Sequence, residues 1–179
     1  MTKPGPAPLI TALLLLSASA FAATIPAATG TALDGHSVAL PRDLSGGATV
    51  LILGFTQHSQ DATTAWEKPV RASLAGPRPD IAFYDMPFLQ DAPSLVRPLI
   101  VRAIRKQVPD ALQPRFVPLT SGEAAWKQTV GYSKDAPDAA YVLLVDRAGK
   151  VRWQTREPFS TAQFARLVQA SEALAADPH

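Results

Sequence analysis

The hexapeptide Thr56-Gln57-His58-Ser59-Gln60-Asp61 places a hydroxyl, an imidazole and a carboxylate within six positions. Ser59 as a nucleophile with His58 as its base is one chemistry those residue types allow. Adjacent side chains rarely face one another in that geometry, and Asp61 is the one evident carboxylate to orient the imidazole. Helix capping and solvation by Ser59, Gln60 and Asp61 is therefore the stronger expectation. Metal binding is the second chemistry: His36, His58 and His179 are the only histidines, and Met86 adds a soft donor. Two ligands near His58 make a weak site, so no metal and no cofactor are expected. Thiol chemistry is excluded, because the 179 residues contain no cysteine. Disulfides, thiolate nucleophiles and thiolate metal sites go with it.

The hexapeptide leaves the end of V-L-I-L-G-F, Val50 to Phe55, an apolar run that predicts a central strand covered on both faces. Open mixed sheets place functional groups at such strand ends. Upstream, L-D-G-H-S-V-A-L from Leu33 to Leu40 sets a D-G turn beside alternating apolar residues and predicts a small hairpin. Downstream, Ala62 to Leu74 keeps a helical rhythm that Pro69 must kink or restart. Ile81 to Met86 reads as a second strand, Leu95 to Val108 as an apolar and basic helix, and Arg115 to Leu119 as a strand or loop. Thr120 and Glu123 have capping-box spacing ahead of a short helix, Ala124 to Val130. Ala140 to Asp146 and Lys150 to Thr155 form a hairpin around Arg147-Ala148-Gly149. Tyr141 and Trp153 are expected to pair across or near it. Ser160 and Gln163 open a last helix with a Phe164, Leu167, Val168, Leu174 stripe. Strands separated by helices and closed by a hairpin and a helix predict an α/β domain, with a mixed central sheet between helices on both faces.

The N-terminus predicts export. Lys3 precedes the apolar run Leu9 to Leu16, and Ala20-Phe21-Ala22 supplies an A-x-A cleavage site. The run is shorter than the roughly 20 apolar residues that span a bilayer. The expected layout is a signal peptide over residues 1–22, a linker over 23–32 and one domain over 33–179, in a periplasmic or secreted protein. Without Lys3 the mature chain carries 16 basic against 15 acidic side chains. That balance argues against a nucleic-acid partner, which requires a basic face.

The element order, with L-V-D-R-A-G-K-V-R-W near its end, resembles the thioredoxin superfamily, in particular a peroxiredoxin-like branch without the cysteines. The matching positions are Leu33 to Leu40, the Ser59 to Gln60 region where those proteins carry the reactive cysteine, and Pro137 ahead of the final hairpin. The resemblance implies a thioredoxin-like three-layer fold with an inserted basic helix, a cis peptide as one option at Pro137, and a site-equivalent groove at His58, Ser59, Gln60 and Pro137. A closer resemblance rests on Y-V-L-L-V-D-R-A-G-K-V-R-W, Tyr141 to Trp153, and on the apolar and basic segment Pro98 to Pro109. It is similar to the ATP synthase assembly-factor family numbered ten. That resemblance implies a non-enzymatic binding or assembly, chaperone-like role, with a protein partner in a membrane complex such as ATP synthase. A metal-binding or cysteine-independent enzymatic role centred on His58, or a degenerate peroxiredoxin-like protein, is the alternative.

Two further features are candidate contact surfaces. On a helical wheel Val96, Leu99, Ile100, Ala103, Ile104 and Val108 share one face of the Leu95 helix, with Arg102, Arg105 and Lys106 on the other. A core helix with a solvated basic face is one reading, and docking on a membrane surface or an integral membrane partner the other. Trp153 packs first and offers a binding surface second.

Overall fold

The computed structural model describes residues 23–176, so the expected leader and His179 lie outside the described residues. Strand β1 (Ala28–Thr31) pairs antiparallel with β2 (Ser37–Leu40) around a turn in which Gly35 adopts φ +103°. A glycine suits that backbone because it has no Cβ to clash. The stretch 23–32, expected as a linker, is thus part of the fold. It holds β1, buries Ile25, and sends the Ile25 N–H to the Gly149 carbonyl at 2.8 Å.

Strand β3 (Ala48–Gly54) is buried along its whole length, as its unbroken apolar run requires. A 3-10 turn (Gln57–Ser59) leads from it into α1 (Gln60–Pro69). Pro69 lacks the N–H that an α-helical ladder needs, and the chain continues beyond it as a π-helical turn (Val70–Ala75). Next come β4 (Ile81–Pro87), α2 (Arg97–Gln107), a 3-10 turn (Asp110–Arg115) and α3 (Glu123–Thr129). The chain closes with β5 (Tyr141–Asp146), β6 (Val151–Thr155) and α4 (Thr161–Ala176).

The central sheet has the order β4-β3-β5-β6, with β3 and β4 parallel and the other pairs antiparallel. Alternation along the strands divides the interior. Leu51, Leu53, Tyr84, Met86, Tyr141 and Leu143 face α3 and the β1–β2 hairpin. Val50, Ile52, Phe83, Val142 and Leu144 face α1, its π-turn and α4. Trp66 and Trp126, both fully buried, anchor the two sides.

The final hairpin and helix form as expected. Asp146 Oδ1 accepts the N–H groups of Ala148 and Lys150 at 2.9 Å each, and its Oδ2 accepts from Arg152. Ser160 Oγ caps the Gln163 N–H at 3.2 Å.

Several local expectations are corrected. Tyr141 and Trp153 do not pair: Trp153 lies opposite Leu144, and the two rings fall on opposite faces of the sheet. Glu123 begins α3 itself after Gly122 at φ +78°, so no Thr120–Glu123 box forms, and its N–H goes to Gln90 Oε1 at 3.1 Å. Of the strand or loop expected over Arg115 to Leu119, the fold has the loop. Phe116 and Leu119 make single parallel bridges to Asp85 and Phe88, covering the β4 edge. Helix α2 is not a core helix, since none of its residues is buried.

Candidate functional site

The open end of the sheet is built where β3 stops. Gly54 is needed there for closeness: a Cβ on it would stand 3.0 Å from Ser59 Cβ and 3.2 Å from Thr63 Cγ2. The turn therefore folds down onto the strand end and buries Ser59, which is 1% exposed. The Ser59 hydroxyl accepts the Thr56 N–H at 3.1 Å and lies 3.1 Å from Thr56 Oγ1. Thr56 Oγ1 in turn donates to Asp138 Oδ1 at 2.5 Å, joining residues 82 positions apart. Ser59, Thr56 and Asp138 thus form a hydroxyl–hydroxyl–carboxylate chain that pins the 131–140 loop to the end of β3. A buried serine whose oxygen is committed to a capping turn is a poor nucleophile.

Beside this chain stands an aromatic wall. Phe55 stacks on Phe88 at 4.7 Å and meets Tyr132 and Tyr141 edge-on at 5.4 and 5.3 Å. The Tyr141 hydroxyl accepts the Ser133 N–H and donates to the Ala136 carbonyl, holding the loop from below. Lys127 Nζ sits 4.4 Å from the Tyr132 ring centre and pairs with Glu123 Oε1 at 2.5 Å. That carboxylate, hydrogen-bonded to the ammonium, holds the Lys127 pKa above its ordinary value. Glu123 Oε2 and Trp126 Nε1 are buried on the same helix without a hydrogen-bond partner. The rim of the open end therefore carries an anion, Asp138, and a cation, Lys127, over aromatic surface.

A second carboxylate lies deeper. Asp85, opposite Ile52 in the sheet, is 6% exposed on the α1 side. Burial, reinforced by the negative charge of Glu67, pushes its pKa up to about 7.

The expected site residues separate. Ser59 and Gln60 stand at the β3 end, and His58 is exposed in the same turn. His36 is bound to Asp34 in the β1–β2 turn at 2.6 Å. Met86 is fully buried in the α3-side core. Pro137 is half-buried next to Asp138, and its peptide is trans; the cis bond among the described residues is Leu40–Pro41. Trp153 is half-buried and packs edge-on against Trp66 at 6.3 Å, so it is part of the α1-side core. Arg102, Arg105 and Lys106 do come together, lining a shallow depression of about 480 Å³ with Pro98 and Val101.

Sequence reasoning missed Asp138, Lys127, the aromatic wall, the bond from Thr56 to Asp138, and Glu123 as the partner of Lys127 rather than a capping residue. No local pattern announces a bond across 82 residues. Asp85 did leave a signal, as a lone carboxylate inside the strand I-A-F-Y-D-M.

A sheet of order β4-β3-β5-β6 with helices on both faces, and a polar turn at the end of its central parallel strand, is a thioredoxin-like fold. Solved structures of that kind align along nearly their whole length. A SCO1/SenC family lipoprotein from Bacillus anthracis str. Ames is 14% identical, with TM-score 0.54, covering 87% of this chain and 96% of that one. The pneumococcal exposed lipoprotein thioredoxin from Streptococcus pneumoniae strain TIGR4 is 14% identical, with TM-score 0.55 and coverage of 82% and 99%. A thiol:disulfide interchange protein of the thioredoxin family from Chlorobium tepidum TLS is 15% identical, with TM-score 0.51 and coverage of 85% and 97%. These likenesses establish the fold alone. No curated protein matches the sequence. The chain belongs to the ATP10 protein family, whose model matches residues 18–174.

Proposed function

We propose that the protein is a binding or assembly factor, chaperone-like and non-enzymatic, whose partner is a protein of a membrane complex such as ATP synthase. Family membership supports the assembly role. The observation that carries the non-enzymatic part is Ser59. It closes the turn after the central strand, is buried, and spends its oxygen on Thr56, so the open end offers contacts rather than a reactive atom. Asp138, Lys127 and the half-buried Tyr132 ring are the groups available to a partner. On α2, Arg102, Arg105 and Lys106 are a second contact surface for a partner or a membrane. Export with cleavage before Ala23 completes the reading and puts the mature protein in the periplasm or outside the cell.

Affinity capture from crosslinked membranes tests the role. Recovery of membrane-complex subunits by the wild type, reduced by Thr56→Val with Asp138→Ala, is the expected result. Recovery of no membrane protein above a scrambled-bait control would sink the idea. N-terminal sequencing of the protein from fractionated cells is expected to begin at Ala23.

A further inference from the structure

We infer that the outward face of α2, with the turn that enters it, docks on an anionic phospholipid surface. The inference deepens the assembly reading and rests on it only for the biological setting.

The first observation is charge of one sign. No acidic residue occurs between Asp91 and Asp110, while Arg97, Arg102, Arg105 and Lys106 all fall within α2. Arg97 is committed, donating to the Ala92 and Gln90 carbonyls at 2.9 and 2.7 Å, which fixes the start of the helix to the loop after β4. Arg102, Arg105 and Lys106 are exposed, and none forms an ion pair among the described residues.

The second observation is where the apolar residues went. Ile100, Val101, Ile104 and Val108 lean toward the body and are half-buried. Leu99 does not join them. With 3.6 residues per turn, Leu99, Arg102 and Lys106 follow one another at i, i+3 and i+7 on the outward side. Leu95 and Val96 stand at the entrance to the same helix. Their exposures are 90% for Leu95, 64% for Leu99 and 38% for Val96, and these are the large exposed hydrophobics among the described residues. The helical wheel groups Val96 and Leu99 with Ile100, Ile104 and Val108 on one apolar face, and the fold separates them.

An apolar tip followed by a row of unpaired cations complements a surface that is anionic at the headgroups and apolar just below them. The shallow depression on this face is lined by Pro98, Val101, Arg102, Arg105 and Lys106, with cations and no carboxylate among them. No helix among the described residues is long and apolar enough to cross a membrane. The contact is therefore peripheral, with cations at the headgroups and Leu95 and Leu99 reaching into the interface.

The absence of cysteine makes a local test clean. The purified full-length chain with Ala103→Cys, labelled with an environment-sensitive fluorophore, is titrated with vesicles of 70% phosphatidylcholine and 30% phosphatidylglycerol, and with pure phosphatidylcholine. The expected result is a blue shift on the anionic vesicles only, reversed by 0.5 M salt, and no shift for a label at Ala65→Cys on α1. Arg102→Gln, Arg105→Gln and Lys106→Gln together are expected to weaken the anionic-vesicle titration roughly 100-fold, about fivefold per cation. Leu95→Ser with Leu99→Ser should weaken it while keeping its salt dependence. No shift at Ala103 on anionic vesicles, or an equal shift on neutral ones, overturns the inference. If the labelled site stays silent on vesicles while the cation variants lose a captured membrane protein, the face docks protein instead. The lipid inference then falls and the assembly reading stands. A clear vesicle shift with no captured partner has the opposite consequence.

Discussion

At the open end of the sheet, hydroxyls and charges are held by other parts of the same chain: Ser59 by Thr56, Thr56 by Asp138, and Lys127 by Glu123 and the Tyr132 ring. On α2 and the turn that enters it, Leu99 and Leu95 are in water, and Arg102, Arg105 and Lys106 form no ion pair among the described residues. The first region is organised by long-range contacts; the second is held by its half-buried inward face, by Arg97 at its start and by Gln113, whose Nε2 donates to the Arg105 and Val108 carbonyls at its end. The end of β3 is thus a structural node, while the segment after β4 carries the uncommitted chemistry. Substitutions in the two regions should differ accordingly, in stability at the sheet and in association at the helix.

The largest effect is expected beneath the open end. The Asp85 pKa is about 7 in the folded protein against 3.8 in an unfolded chain. Below about pH 4 both states hold the proton. Between about 4 and 7 the folded state keeps a proton the unfolded chain has lost, so stability falls as pH rises through that window and levels off above it. Asp85→Asn removes the slope and is expected to stabilise the protein at pH 8 by up to about 4 kcal/mol. Thermal melts from pH 4 to 9 read it, and parallel wild-type and variant curves would contradict it.

Next is Lys127→Met, which leaves the Glu123 carboxylate buried with neither oxygen paired. A loss of about 3 kcal/mol is expected in urea unfolding, and much of it should return in the Lys127→Met, Glu123→Gln double variant. Thr56→Val breaks the bond to Asp138 and should cost about 1 kcal/mol, with faster amide exchange across residues 131–140. Smallest is Leu99→Ala in α2, expected within about 0.5 kcal/mol of wild type because the side chain is exposed. A loss of several kcal/mol there would mean that α2 is a packed element, and the contrast between the regions would fail.

The parts legible in the sequence were those in which burial alone decides. Strands β3, β4 and β5 are runs of Val, Ile, Leu and aromatic residues, and no other element suits them. Strand β1 is A-T-G-T, too small and polar to signal itself. It exists because β2 pairs with it and because Gly30 lets it lie against Val117 and Leu119, where a Cβ would come within 2.6 Å of Val117 Cγ1. The wheel of α2 found the right residues on a misjudged boundary, because a wheel contains no information on which side the body lies. At the site, the turn after Phe55 was visible as capping chemistry. Its partner Asp138 and the Lys127–Glu123 pair depend on which loops meet at the sheet end, and only the fold decides that. The expected packing of the hairpin tryptophan holds, but against Trp66 rather than Tyr141, because register, not residue type, decides the face to which Trp153 points.

The clip between residues 23–25 and the β5–β6 turn has a directional consequence. Thr24 bridges Lys150, and the Val151 N–H reaches the Ala23 carbonyl at 2.7 Å. That turn adjoins Asp146, which pairs with Ala48 at the start of β3, whereas Thr56 follows the strand's other end. The polypeptide thus enters the domain at one pole and offers Thr56, Asp138 and the Tyr132 ring at the opposite one. A tag, bead or tether placed ahead of Ala23 holds the molecule by its base and leaves that far pole facing outward.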